Sequence, residues 1–334
     1  MSDNRHPYES LTPDVVLDAL ADVGLYGDGR LLALSSYENR VYQVHLEDAF
    51  EGSGVVVAKF YRPGRWSDTQ VGEEHAFAAE LQLAEVPVVA PLAPQGRTLH
   101  HHAGFAFSVS PRRGGRAPEL DDGEVLEWIG RYLARLHQVG AQRAFQERPA
   151  LDPATFGAEP RDWLLAHQAI PLEVEREWTE ACDAALALVH AAFANSQEAG
   201  VRRIRLHGDC HPGNILWTPD AGPHFVDLDD ARTGPAVQDL WMLLSGERSQ
   251  QQRQLGALLD GYEQLREFDR AELALVEPLR TLRLLHYSAW LARRWDDPAF
   301  PLTFPWFGTP DYWRGQVVML QEQAEAMEEP PLVA

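Results

Sequence analysis

Cysteine is almost absent from this chain. The 334 residues hold two, Cys182 and Cys210, which offer no disulfide framework and make a reducing, cytoplasmic setting the expectation. No apolar run approaches the roughly 20 residues that cross a bilayer, and the start, Met1 to Ser10, lacks the apolar core of a secretion signal. Positive charge is scarce: 29 Lys and Arg stand against 50 Asp and Glu, a net charge of −21. That balance excludes general binding to nucleic acid or an anionic membrane, which needs a basic surface. Internal repeats and long low-complexity segments are missing as well. Scarcest of all is lysine, for among the 29 basic residues Lys59 is the single one that is not arginine. A compact ammonium holds one phosphate as a point charge, which the broad guanidinium fork does not imitate.

What is present alternates in character along the chain. Thr12-Pro13-Asp14 is a helix start with a capping hydroxyl and a proline in the first turn, and Gly24 closes that helix. Residues 31–34 and 41–46 read as strands around the tight segment 35–39, and Val55 to Tyr61 is strongly β-prone, so Lys59 falls on the third strand of a meander. A helix over 69–83 and two further strands, 98–100 and 104–109, follow. Beyond the proline and glycines of 110–115 the pattern turns helical, with helices expected over 123–139, 178–193, 237–244, 251–265, 271–295 and 311–327. The expectation is an α+β fold: an N-terminal sheet lobe, residues 1–110, and a mostly helical lobe, residues 111–334, with a nucleotide as the default ligand of such an arrangement.

Inside the helical half lies Leu206-His-Gly-Asp-Cys-His-Pro-Gly-Asn-Ile-Leu-Trp217, followed by His224-Phe-Val-Asp227. Pro and Gly in the linker between Trp217 and His224 favour a turn joining two short strands. Antiparallel pairing would put Asn214 and Asp227 at one end, beside the loop that holds Asp209. Carboxylate and amide oxygens suit Mg²⁺, which takes one or two protein ligands plus phosphate oxygens. Asp209 is then available to accept a proton from a substrate hydroxyl. A catalytic-loop Asp, an Asn five residues on and a metal-binding Asp after the next strand is the pattern of phosphoryl transfer. Zinc held by His207, Cys210 and His211 is disfavoured, because Gly208, Pro212 and Gly213 prevent the helix that would align them.

With these residues in hand, the chain resembles the aminoglycoside phosphotransferase and choline kinase group of protein-kinase-like enzymes. The similar segments are residues 35–42, 57–63, the catalytic hairpin, 226–232, 234–241 and 290–295, which span nearly the whole chain. The resemblance implies a two-lobe protein-kinase-like fold and an ATP- and Mg²⁺-dependent kinase. Within the group it points to serine/threonine protein kinases of a bacterial stress response, with a small-alcohol kinase as the alternative. It makes Asp209 the catalytic base, Asn214 and Asp227 the Mg²⁺ ligands, and Lys59 the residue on the ATP phosphates, paired with Glu74 in preference to Glu73. Asp239 would brace the catalytic loop or serve its own helix start, and His207 would be scaffold. No Gly-x-Gly-x-x-Gly precedes Lys59; the corresponding turn is 35–39, where Ser36 either contacts ATP or only builds the hairpin. Adenine would meet the backbone of a hinge near 108–111. The segment after Asp227 is too short for a phosphorylatable activation loop. Implied partners are protein substrates bearing Ser or Thr hydroxyls, with no nucleic acid or membrane, for a monomeric enzyme.

Three other features carry blander expectations. His100-His-His102 reads as a loop cap between strands, Cys210 as an inert thiol because a neighbouring carboxylate raises thiol pKa, and the aromatics from Trp290 to Trp313 as core in preference to a box for a quaternary amine.

Overall fold

The computed structural model describes residues 6–333, so the first five residues of the stretch read above for a secretion signal lie outside the described residues. The chain divides into two compact units, one holding the chain up to Pro118 together with Gly213–Asp229, the other holding Glu119–Pro212 together with the chain from Asp230 on.

In the first unit, Thr12 accepts the Val15 amide and starts α1 (Pro13–Asp22). Five antiparallel strands follow: β1 (Gly27–Leu34), β2 (Arg40–Phe50), β3 (Ser53–Phe60), β4 (His100–His102) and β5 (Phe105–Pro111), in the order β1-β2-β3-β5-β4. Between β3 and β4, Ser67 forms a capping box with Gln70 at the start of α2 (Asp68–Leu83). Alternation along β3 is strict. Val56, Ala58 and Phe60 face a core shared with Val16 and Leu20 of α1, Val44 of β2 and Phe107 of β5, whereas Lys59 faces the other way. The sequence placed 98–102 differently: His100–His102 is a strand itself and not a loop cap, because it pairs with Phe105–Phe107. The expected hinge at 108–111 is likewise strand, its Val109 carbonyl accepting the Leu92 amide at 2.7 Å.

The hairpin Ile215–Thr218 with Gly222–Phe225 stands among helices in chain order yet groups with the first unit. Its backbone explains this. The Phe225 amide donates to Pro87 O at 2.8 Å, the Val89 amide to Phe225 O at 3.0 Å, and Arg116 and Trp217 exchange both of their backbone bonds.

The second unit holds α3 (Gly123–Gly140), α4 (Glu159–Ala166), α5 (Leu172–Glu198), α6 (Val237–Trp241), α7 (Arg248–Tyr262), α8 (Val276–Ala292), the short α9 (Ala299–Thr303) and α10 (Pro310–Glu328). Strands Ile204–Leu206 and Arg232–Gly234 pair antiparallel within it. α4 and the π-helical turn Ala154–Ala158 before it had no counterpart in the sequence reading, since Pro153 and Pro160 flank an apolar run too short to show a period. α5 starts earlier than expected: its first turn is acidic and its Leu172 exposed, so the apolar period begins only later. Residues 270–275, expected to open α8, form a 3₁₀ turn, and Pro278 sits in the first turn of the helix itself. Trp178 of α5 and Trp313 of α10 meet edge to face at 5.8 Å, both fully buried.

α3 and α7 cross closely through paired glycines. A Cβ at Gly130 would lie 2.0 Å from Leu258 O, and one at Gly261 would lie 2.0 Å from Glu127 O. Backbone cannot yield as a side chain does, so Gly130→Ala should cost about 1–3 kcal/mol, the usual scale of overpacking. The check is the urea midpoint of unfolding, and an unchanged midpoint would show that the two helices slide apart freely.

Candidate active site

The candidate residues fall into two arrangements, one in each unit. In the first, the hairpin register sets Ile215 opposite Phe225, both fully buried, and the Val226 amide donates to Asn214 O at 3.0 Å. Asn214 and Asp227 thereby leave the hairpin at the same end. Asp227 has φ of +61°, a left-handed conformation that Asp tolerates better than most residues, and its carboxylate is half-exposed.

Lys59 comes to that carboxylate from β3, where its neighbours across the sheet are Val41 and Ser108. Its Nζ lies 2.8 Å from Asp227 Oδ1 and 3.1 Å from Asp229 Oδ1, and its side chain is only 17 % exposed. Burial pulls the ammonium pKa down, but Asp227, Asp229 and Glu74 together outweigh it and hold Lys59 well above its ordinary value. Lys59 is therefore a cation at every physiological pH. Glu74 is buried on α2, while Glu73 is half-buried; of the two, Glu74 acts on the lysine. Tyr61 lays its ring 5.2 Å from Nζ and bonds His75 and Ser108 through its hydroxyl.

Asp229 is the residue the sequence reading missed. It is almost completely buried and, besides Lys59, takes a hydrogen bond from Arg65 and one from Asn39 Nδ2 at 3.3 Å. Asn39 in turn accepts the Arg62 amide at 3.1 Å, and Arg62 Nε donates to Glu38 O at 3.1 Å. The turn 35–39 is thus tied to the end of the hairpin, and Ser36, half-buried, rides on it. The available signal was the doubled acid in Asp227-Leu228-Asp229, where the sequence reading gave a role to the first carboxylate alone.

In the second unit the loop before the hairpin is held by its backbone. Asp239, fully buried on α6, accepts the His207 amide at 2.9 Å and the Gly208 amide at 2.8 Å, and Gln238 Nε2 donates to Gly208 O at 3.0 Å. Asp239 also accepts His137 Nε2 at 3.1 Å, while Tyr262 OH lies 2.9 Å from His137 Nδ1. Burial lowers the His137 pKa more than Asp239 raises it, so a neutral imidazole with a proton on Nε2 satisfies both partners. Gly208 has φ of +85°, and a Cβ there would lie 2.2 Å from Asp230 O; no other residue fits. His207 is buried, its Nδ1 accepting the Asp209 amide at 3.4 Å. Asp209 itself meets Arg283 Nη1 at 2.6 Å through Oδ1. After Asp227 the chain goes at once through the turn Leu228–Asp230 into strand Arg232–Gly234.

The donor set of the hairpin fits Mg²⁺: one amide oxygen and one half-exposed carboxylate, with the other coordination positions left to phosphate and water. Among the described residues no group of three or more His, Cys, Asp and Glu is arranged to hold a metal, which such a site does not require. The His100–His102 imidazoles go separately to Arg97 O, Asp68 and Asp22. Of the C-terminal aromatics, Trp313 is core, Trp290, Trp295, Phe304 and Tyr312 are half-buried, and Trp306 is exposed. No helix among the described residues is long and apolar enough to cross a membrane.

The model of the Phosphotransferase enzyme family matches residues 30–276. Stress response kinase A of Escherichia coli (strain K12) is 47% identical over 332 residues, covering 99% of this chain and 98% of that protein. The serine/threonine protein kinase RdoA of Salmonella typhimurium has the same identity and coverage. Among solved structures, the amicoumacin kinase hAmiN in complex with AMP-PNP, Ca²⁺ and Ami superposes with a TM-score of 0.71 at 19% identity, over 96% of this chain and 95% of that one. A microcompartment-associated aminopropanol kinase gives 0.71 at 20% identity, over 95% and 98%. At such identities these structures speak for the fold.

Two outcomes follow from the buried groups. Burial, before any neighbouring charge, drives the Cys182 thiol up to about 12 and raises Cys210 well above its ordinary value. Neither should react with an aromatic disulfide reagent at pH 8 until denaturant is added; release of one thiolate equivalent from the folded protein would refute this. Glu272 accepts the Val237 amide at 2.8 Å where α6 begins, and burial, its largest influence, raises its pKa from 4.5 to about 7. The folded protein therefore binds a proton there that the unfolded chain releases, and that stability is present below pH 4.5 and lost as pH rises toward 7. Glu272→Gln keeps an acceptor for Val237, so its urea midpoint should fall less between pH 5 and pH 8 than that of the parent; equal falls would rule Glu272 out as the titrating group.

Proposed function

The chain belongs to the phosphotransferase enzyme family, and from that premise we propose that it is an ATP- and Mg²⁺-dependent kinase acting on serine and threonine hydroxyls of proteins, in a stress response. The observation that carries this reading is the Lys59 ammonium held 2.8 Å from Asp227, at the end of a hairpin that also presents Asn214. Lys59 would hold phosphate oxygens, with Glu74 keeping it charged and placed, and Ser36 would meet the nucleotide from the turn 35–39. Asn214 and Asp227 would hold Mg²⁺, which when bound neutralises charge on the transferred phosphoryl group. Asp209 would orient the acceptor hydroxyl and accept its proton. A loose phosphoryl transfer asks mainly for positioning and charge neutralisation, and the braced loop around Asp209 supports that role. The nucleotide is assigned to the 1–110 lobe and the acceptor to the 111–334 lobe.

A protein acceptor is preferred because the relatives at 47% identity include one named as a serine/threonine protein kinase. A small alcohol is the competing acceptor; the same catalytic residues would serve it. The reading takes the enzyme as a cytoplasmic monomer whose acidic surface, at a net charge of −21, disfavours nucleic acid and anionic membranes.

The decisive assay is transfer of labelled phosphate from ATP with Mg²⁺ to a generic protein substrate, run beside a panel of amino alcohols and aminoglycosides. Protein labelling by the parent is expected, and Asp209→Ala should lower kcat by about 10²–10⁴-fold with nucleotide affinity changed little. Transfer to an alcohol alone would replace the protein acceptor. No turnover with any acceptor, or a fully active Asp209→Ala, would sink the kinase reading.

A further inference from the structure

The two oxygens of Asp209 are not equivalent. Oδ1 lies 2.6 Å from Nη1 of Arg283, whereas Oδ2 lies 3.6 Å from Nε2 of His211, beyond hydrogen-bond reach. Arg283 comes from α8, far along the chain, where the fully buried Leu282 and Leu285 on either side anchor the helix and leave the guanidinium partly exposed. Asp239 and Gln238 fix the backbone of the catalytic loop, but they leave the rotation of the Asp209 carboxylate undecided. The terminal torsion of Asp is broad, and the Arg283 contact restrains it.

We propose that Arg283 is the positioning residue of the phosphoryl transfer: it holds Asp209 through Oδ1 and so fixes the plane in which the carboxylate meets the acceptor hydroxyl. This rests on the reading of Asp209 as proton acceptor. A guanidinium suits the task because it stays charged at every working pH and its planar fork has a preferred direction. In the transfer the acceptor O–H bond breaks and its proton goes to the Asp209 carboxylate. The acceptor oxygen bonds to the γ-phosphorus, the bond from that phosphorus to the β–γ bridging oxygen breaks, and ADP leaves. Orientation, more than proton affinity, is what a loose transition state asks of the carboxylate.

The test uses the full chain and Arg283→Met, Arg283→Lys, Asp209→Asn and the Asp209→Asn/Arg283→Met double variant, each with kcat, KM for ATP, KM for the protein acceptor and thermal midpoint. Losing one charge-assisted hydrogen bond to the carboxylate should lower kcat of Arg283→Met by about 10- to 100-fold, with both KM values within about twofold. Arg283→Lys should recover part of that loss, and the double variant should be no slower than Asp209→Asn alone, since Arg283 acts only through the carboxylate. The proposal is overturned by an unchanged kcat in Arg283→Met. It is equally overturned by a rise in acceptor KM at constant kcat, which would make Arg283 a substrate-binding group. A loss that adds to that of Asp209→Asn, or one that tracks a lowered thermal midpoint without rescue by lysine, would make it merely structural. Absence of turnover in the parent protein is a different result, and it defeats the kinase reading.

Discussion

An ammonium taken out of water must be met by negative charge, and in the first unit the meeting of Lys59 with Asp227 and Asp229 organises everything nearby. Desolvation alone would lower its pKa; the carboxylates reverse the sign. To deliver them, the chain lays a hairpin against 87–89 and 116, turns Asp227 into a left-handed conformation and buries Asp229 beside Arg65. Asn39 then links the same Asp229 to the turn between β1 and β2. Strand, turn and hairpin end thus share one compensated charge cluster, in which moving any member leaves a buried charge without its partner.

The second unit solves a different problem: keeping a glycine-containing loop in one conformation. Asp239 does this with both oxygens on backbone amides, and neutral His137 with Tyr262 behind it satisfies the carboxylate without adding a charge. Glu272 repeats the device at the start of α6, taking an amide that would otherwise be an orphan of the helix end. A fold that spends buried acids on main-chain donors holds its loop by hydrogen bonds more than by apolar contact.

Much of this was legible in the sequence. The β-prone run Val55 to Tyr61 told the strand that carries Lys59, and the Pro/Gly linker with its flanking apolar residues told the hairpin and the end that holds Asn214 and Asp227. The conjunction of Lys59 with Asp227 followed from the resemblance to the kinase group and not from spacing. What escaped was set by contacts remote in sequence. Arg283 reaches Asp209 across 74 positions and Asn39 reaches Asp229 across 190, and neither pairing leaves a local pattern. The short α4, framed by prolines, carries too few turns for a period, and the histidine run became a strand because Phe105–Phe107 was there to pair with it. The grouping of the hairpin with the first unit is likewise a matter of backbone partners that chain order conceals.

The single lysine has a consequence for chemistry done on the molecule. A chain whose remaining basic side chains are all guanidinium presents one side-chain amine to any acylating or aldehyde reagent, and that amine is clasped by two carboxylates. Its capture rate is therefore a gauge of how often the clasp opens, read from a single address and free of the background that dozens of surface amines impose on most proteins.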